Sequence, residues 1–138
     1  MSKTVLVVDD NAHDREIYGK LLWYNGFEVA LAEDGENALE MVGRVRPDLV
    51  VLDMRLPGRD GLDVCRELKN APETAGIPVI ALSARPELEM GRPATRAGCA
   101  TYLEKPIAPV EVLYEVERLI GRSSVKPVGE AVEVERPG

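Results

Sequence analysis

Residues 48–53 read Asp48-Leu49-Val50-Val51-Leu52-Asp53, four apolar residues in a row closed by a carboxylate. A short, unbroken apolar run with β-branched residues is what a strand buried on both faces needs. Pro47 in front of it stops a preceding helix. Pro57, Gly58 and Gly61 behind it mark a loop. Working outward, the same pattern recurs. Thr4–Val8 (TVLVV) is followed by Asp9 and Asp10, Pro78–Leu82 (PVIAL) by Ser83, and Thr101–Glu104 (TYLE) by Lys105. Phe27–Leu31 (FEVAL) alternates instead, which predicts a half-exposed edge strand.

The stretches between these runs have helical spacing. Asn11 to Tyr24 places Ile17, Leu21 and Tyr24 at i, i+4 and i+7, and Asn25-Gly26 ends the helix. Asp34 is positioned to cap a helix carrying Ala38, Met41, Val42 and Val45. Leu62, Cys65 and Leu68 mark the next. Pro109 opens the last, with Val112, Val116, Leu119 and Ile120 inward and Gly121 closing it. The fourth stretch differs, because Pro86, Gly91 and Pro93 all fall within residues 85–97. An internal proline costs about 3 kcal/mol in a helix, so this element is expected to be short, beginning at or near Pro93, or split in two. Strands joined by helix-length crossovers pair in parallel with right-handed connections. The predicted fold is therefore α/β, a flavodoxin-like (βα)₅ doubly wound sheet in the order 2-1-3-4-5. Residues 1–121 make one domain. Residues 122–138, with Pro127, Gly129, Pro137 and charges without period, are expected to form a mobile tail.

Composition narrows the function. The chain has 138 residues, 45% hydrophobic and 30% charged, as a single globular domain does. A net charge of −7 disfavours contact with a phosphate backbone, so no direct nucleic-acid partner is expected. No apolar run is long enough for a membrane span or a secretory signal, which points to the cytoplasm. Two cysteines and one histidine cannot assemble a zinc site. Cys65 and Cys99 read as small core hydrophobes, and a cytoplasmic address argues against a disulfide. His13, beside Asp14, reads as a surface residue and Trp23 as packing.

In open parallel sheets ligands bind at the carboxyl ends of the strands. That edge is where Asp9, Asp10, Asp53, Ser83 and Lys105 fall. Three carboxylates in one place repel one another unless a cation neutralises them. An all-oxygen set without histidine or cysteine suits a hard ion, and Mg²⁺ in particular takes one or two carboxylates, waters and a substrate phosphate. Lys105 adds a fixed positive charge and Ser83 a hydroxyl donor for phosphoryl oxygens. In that setting a carboxylate is a competent nucleophile for forming an acyl phosphate.

With these residues assembled, the chain resembles the receiver domains of two-component response regulators. Asp9-Asp10 resembles their acidic pair, and Asp53 with Pro57 and Gly61 their phospho-acceptor loop. Ser83-Ala84 resembles the switch hydroxyl ending strand four. Tyr102-Leu103-Glu104-Lys105-Pro106 resembles the switch aromatic and lysine of strand five. The resemblance covers residues 3 to about 121. It implies Asp53 as phospho-acceptor; Asp9, Asp10, Asp53 and the Arg55 backbone carbonyl as Mg²⁺ ligands; Ser83 and Lys105 as phosphoryl binders; Ser83 and Tyr102 as the switch; and a cis Lys105–Pro106 bond. It also implies a histidine kinase or histidine phosphotransfer protein as donor, a downstream protein as target, no membrane partner, and a monomer or weak homodimer.

Arg55 and Arg85, each two residues past a site residue, are expected to raise the positive potential at the mouth and alter phosphoryl lifetime. Because residues 122–138 are too few for a core, a stand-alone switch is expected, with slow self-dephosphorylation at most as enzymatic activity. The alternatives are a receiver fragment of a longer transcriptional regulator or hybrid kinase, a magnesium phosphatase, and an FMN carrier. The phosphatase would want an acid where Arg55 stands. The FMN carrier would want a phosphate loop where Asp9-Asp10 stand.

Overall fold

The computed structural model describes residues 2–124. In chain order the elements are β1 (Thr4–Val8), α1 (Ala12–Tyr24), β2 (Glu28–Ala32), α2 (Gly35–Val45), β3 (Leu49–Asp53), α3 (Gly61–Asn70), β4 (Val79–Ser83), α4 (Glu87–Arg96), β5 (Thr101–Glu104) and α5 (Pro109–Ile120). The strands form one parallel sheet, as the crossover rule predicts, in the flavodoxin-like order β2-β1-β3-β4-β5.

The continuous apolar runs fill both faces. Leu6, Val8, Val50, Leu52, Val79 and Ala81 point to the side covered by α2, α3 and α4. Their strand neighbours Val5, Val7, Leu49, Val51, Ile80 and Leu82 point to the side covered by α1 and α5. Residues alternate in direction along a strand, so an unbroken apolar run means a strand with helices on both sides. β3 and β4 are buried throughout, while β2 and β5 are partly exposed edges.

The caps are local and specific. Asn11 Oδ1 accepts from Asp14 N–H at 2.9 Å, Asp34 Oδ1 from Asn37 N–H at 2.7 Å, and Asp60 Oδ1 from Leu62 N–H at 2.7 Å. Each satisfies a donor that the first helical turn leaves without a partner.

Two expectations are corrected. The buried stripe of α1 is Tyr18, Gly19, Leu22 and Trp23, not Ile17, Leu21 and Tyr24; Tyr24 is 61% exposed. Apolar residues occupy 17, 18, 21, 22, 23 and 24, so the spacing fits more than one stripe. The one that sinks Trp23 and Tyr18 wins. The second correction is α4, an uninterrupted ten-residue helix that begins at Glu87 and carries Pro93 inside it. Pro86 serves as its N-cap residue, a position with no need of an N–H, and its carbonyl accepts from Glu89 and Met90. Ala94 and Ala97 are buried in the core cluster on the α4 face of the sheet, and Met90 is buried as well. That packing outweighs the one backbone hydrogen bond Pro93 cannot make.

Residues 125–138, most of the expected tail, lie outside the described residues. Ser123 is buried: its hydroxyl donates to Gly26 O at 2.7 Å and accepts from Lys3 N–H at 2.8 Å.

Candidate functional site

β1, β3, β4 and β5 each end in a polar residue at the same edge of the sheet. Asp9 follows the last residue of β1 and is fully buried. Its Oδ1 accepts from Asn11 N–H at 2.9 Å, which turns the chain into α1. Asp53 ends β3, also buried, with Oδ1 accepting from Arg55 N–H at 3.0 Å. Asp10 is exposed at the rim. Ligand oxygens of Asp9, Asp10 and Asp53 all lie within 4.8 Å of one another.

Lys105 reaches in from the end of β5. Its Nζ lies 3.1 Å from Asp53 Oδ2 and 3.3 Å from Asp9 Oδ2. Burial works to lower the Lys105 ammonium, but Asp53 and Asp9 outweigh it and hold the group above the ordinary lysine range. Asp9 shows the opposite balance. Burial, helped by the nearby Asp53 charge, lifts its carboxyl from 3.8 to about 6, against the lowering effects of the Asn11 N–H and Lys105. The pocket thus holds more negative charge than one lysine compensates.

Ser83 ends β4 and is buried, its Oγ accepting from Arg85 N–H at 3.0 Å. The carbonyl of the same Arg85 accepts from Tyr102 Oη. One residue of the β4–α4 loop therefore joins the two expected switch side chains. Arg55 and Arg85 line a single cleft of about 490 Å³ beside Ser83, with Met90 on its wall. Lys105–Pro106 is cis.

The sheet edge thus brings together all of the carboxylates, the lysine and the serine expected from sequence. It also adds residues that sequence reasoning missed. Asp14 Oδ2 lies 3.7 Å from Lys105 Nζ, and Arg15 Nη1 donates to the Asp9 carbonyl at 2.7 Å. Their only signal is position, in the first turn of the helix that follows the acidic pair.

The family model for the response regulator receiver domain matches residues 5–117. The chain is a member of the response regulator receiver family. The response regulator MprA of Mycobacterium leprae is 40% identical over 128 residues, covering 93% of this chain and 55% of the relative. The protein of the same name from Mycobacterium tuberculosis H37Rv is 38% identical over 132 residues, covering 96% of this chain and 56% of its own length. The receiver chain thus spans about half the length of the curated relatives it matches. A putative response regulator from Chloroflexus aurantiacus superposes with a TM-score of 0.83 at 33% identity, covering 88% of this chain and 100% of its own. The chemotaxis response regulator CheY4 of Vibrio cholerae gives 0.82 at 25%, covering 87% of this chain and 100% of its own.

Receiver domains generally act as switches in two-component signalling rather than as catalysts, and generally bind Mg²⁺ at an acidic pocket. The residues here fit such an ion. The donors are all carboxylate oxygens within 4.8 Å, and Asp9 is driven toward its protonated form by burial and the neighbouring Asp53 charge, a penalty a divalent cation would relieve.

Proposed function

We propose that this receiver domain takes a phosphoryl group onto Asp53 from the phosphohistidine of a histidine kinase or phosphotransfer protein. The observation that carries it is the meeting of three carboxylates at one strand edge with the Lys105 ammonium 3.1 Å from Asp53. An Asp53 carboxylate oxygen attacks phosphorus, the P–N bond of the donor breaks, and the departing imidazole takes up a proton. Lys105 then shifts from carboxylate to phosphoryl oxygen, keeping its charge beside the oxygens that gain charge. Asp9, Asp10, Asp53 and the Arg55 carbonyl would hold Mg²⁺, which when bound neutralises charge on the incoming group.

The Ser83 hydroxyl, which accepts from the Arg85 N–H, turns its own proton to the phosphoryl group and carries the loop at Arg85 with it. Arg85 is also the acceptor for Tyr102, so a rearranged loop changes where that ring is held. Phosphorylation adds roughly −1.5 to −2 charge, and a two-state loop biased by it passes the signal to a protein partner. Arg55 and Arg85 at the mouth draw in anionic donors and modify phosphoryl lifetime, including any slow self-dephosphorylation. A cytoplasmic location and a monomer or weak homodimer accompany this reading. Among the described residues no helix is long and apolar enough to cross a membrane.

The test is intact-mass analysis after incubation with a small acyl phosphate and Mg²⁺. Wild type is expected to gain one phosphoryl group, but not when a chelator withholds the metal from the start, and Asp53→Asn none. Equal labelling of both proteins would overturn the assignment. A second reading follows from the 55% share of the MprA relative that this chain covers. In it the domain signals to a further part of a longer transcriptional regulator or hybrid kinase; the reading frame beyond codon 138 separates the two.

A further inference from the structure

The chain has two cysteines, and folding brings their sulfurs together. Cys65 lies on the inner face of α3 and is 0% exposed; Cys99 lies just past α4 and is 8% exposed. Cys99 is held in place by the helix end before it. Gly98, at φ +103°, turns the chain, its N–H bonds to Thr95 O at 2.9 Å, and the Cys99 N–H returns to Ala94 O at 3.0 Å. The two sulfurs are 3.3 Å apart, and Cys65 Sγ donates to Ala97 O at 3.3 Å. With the Cys65 proton on that carbonyl, the proton between the sulfurs belongs to Cys99. The hydrogen bond from Cys99 accordingly lowers the Cys65 thiol, against its burial, while that same bond and burial raise Cys99.

Cysteines serving only as small apolar filler have no need to face each other. These two sit on different elements, and closing the gap from 3.3 Å to the roughly 2 Å of an S–S bond takes a shift on the order of 1 Å. We propose that Cys65 and Cys99 form a reversible dithiol–disulfide site, oxidised by small-molecule disulfides. One of the two sulfurs attacks the oxidant as its thiolate, and the oxidant's S–S bond breaks and releases one thiol. The other sulfur attacks the resulting mixed disulfide at the protein sulfur and releases the second. Two protein thiols lose two protons and two electrons, and the oxidant becomes two thiols. The bond ties α3 to the turn that launches β5, fixing the end of α4 between them. Cytosolic disulfides are characteristically transient and redox-sensing, which suits two sulfurs that face each other at 3.3 Å rather than being bonded outright.

This site is independent of phosphorylation, and its test needs no phosphoryl donor. The full chain is equilibrated in mixtures of reduced and oxidised glutathione, acid-quenched, alkylated and peptide-mapped, once native and once in urea. The native protein should hold the Cys65–Cys99 bridge at a ratio of reduced to oxidised glutathione roughly tenfold higher or more than the unfolded chain, because folding presets the pair. To separate slow access from unfavourable geometry, chain bridged in urea is refolded and equilibrated from the oxidised side. Equal or weaker retention in the native state, or a bridged chain that fails to refold, overturns the proposal. Cys65→Ala and Cys99→Ala should each give only mixed disulfides. If either does not fold, the native-against-urea comparison in wild type still decides.

Discussion

Asp9 is buried without exposure beside a second carboxylate, and its carboxyl is pushed up to about 6. Its folded-state value exceeds the unfolded 3.8, so the stability linked to it is present below that value and lost as pH rises through about 6. In metal-free protein Asp9→Asn should gain on the order of 2 kcal/mol over wild type at pH 7 and little at pH 4. Urea unfolding at both pH values in a chelator measures the difference, and added Mg²⁺ should narrow it. The five polar residues of the pocket were legible because each closes an apolar run, so strand ends alone gather them. Asp14 was not, because an acid in the first turn of a helix is ordinary. The meeting of Cys65 with Cys99 was not either, because it depends on how a helix end packs rather than on spacing.

The loop from Asp53 to α3 is tightest at Gly61. A Cβ there would lie 2.5 Å from Met54 Cα and 2.7 Å from the Asp53 carbonyl oxygen, both backbone atoms that cannot swing aside. Gly61→Ala should therefore cost about 2–3 kcal/mol by chemical denaturation. It should also slow phosphoryl acceptance, since the displaced backbone is that of the acceptor itself. The proline–glycine spacing after Asp53 announced this loop, though not the close approach behind it. Helix starts were legible at Asp34 and Pro109, where a single cap or proline stood, but not at α4, where Pro86 and Pro93 competed for the same role. The two failures had different causes. α1 is apolar on too many sides for spacing to choose its buried stripe, and α4 keeps Pro93 because Ala94 and Ala97 pack in the core beside the sheet.

Across the molecule, crossover length and handedness made the sheet parallel, and the order 2-1-3-4-5 came from taking the flavodoxin-like arrangement of five such units. The path after α5 carried no such signal. There Ser123 joins three distant segments, bonding to Gly26 and Lys3, while the Lys3 ammonium donates to the Ile120 carbonyl. Gly26 is held to glycine twice over, by its φ of +95° and by Ser124 O, 1.8 Å from where a Cβ would be. Ser123→Ala should lower stability by about 1–2 kcal/mol in urea unfolding and leave phosphoryl acceptance by Asp53 unchanged. The reason is geographical. Lys3 and Gly26 precede β1 and β2, so this knot sits at the pole where the parallel strands begin, and the acidic pocket where they finish. Five-residue strands at about 3.3 Å per residue put roughly 16 Å of packed sheet between them. Ser124 therefore lies at the pole opposite the carboxylates, and a phosphoryl group at Asp53 is joined to that end of the described chain through the body of the sheet and the helices around it.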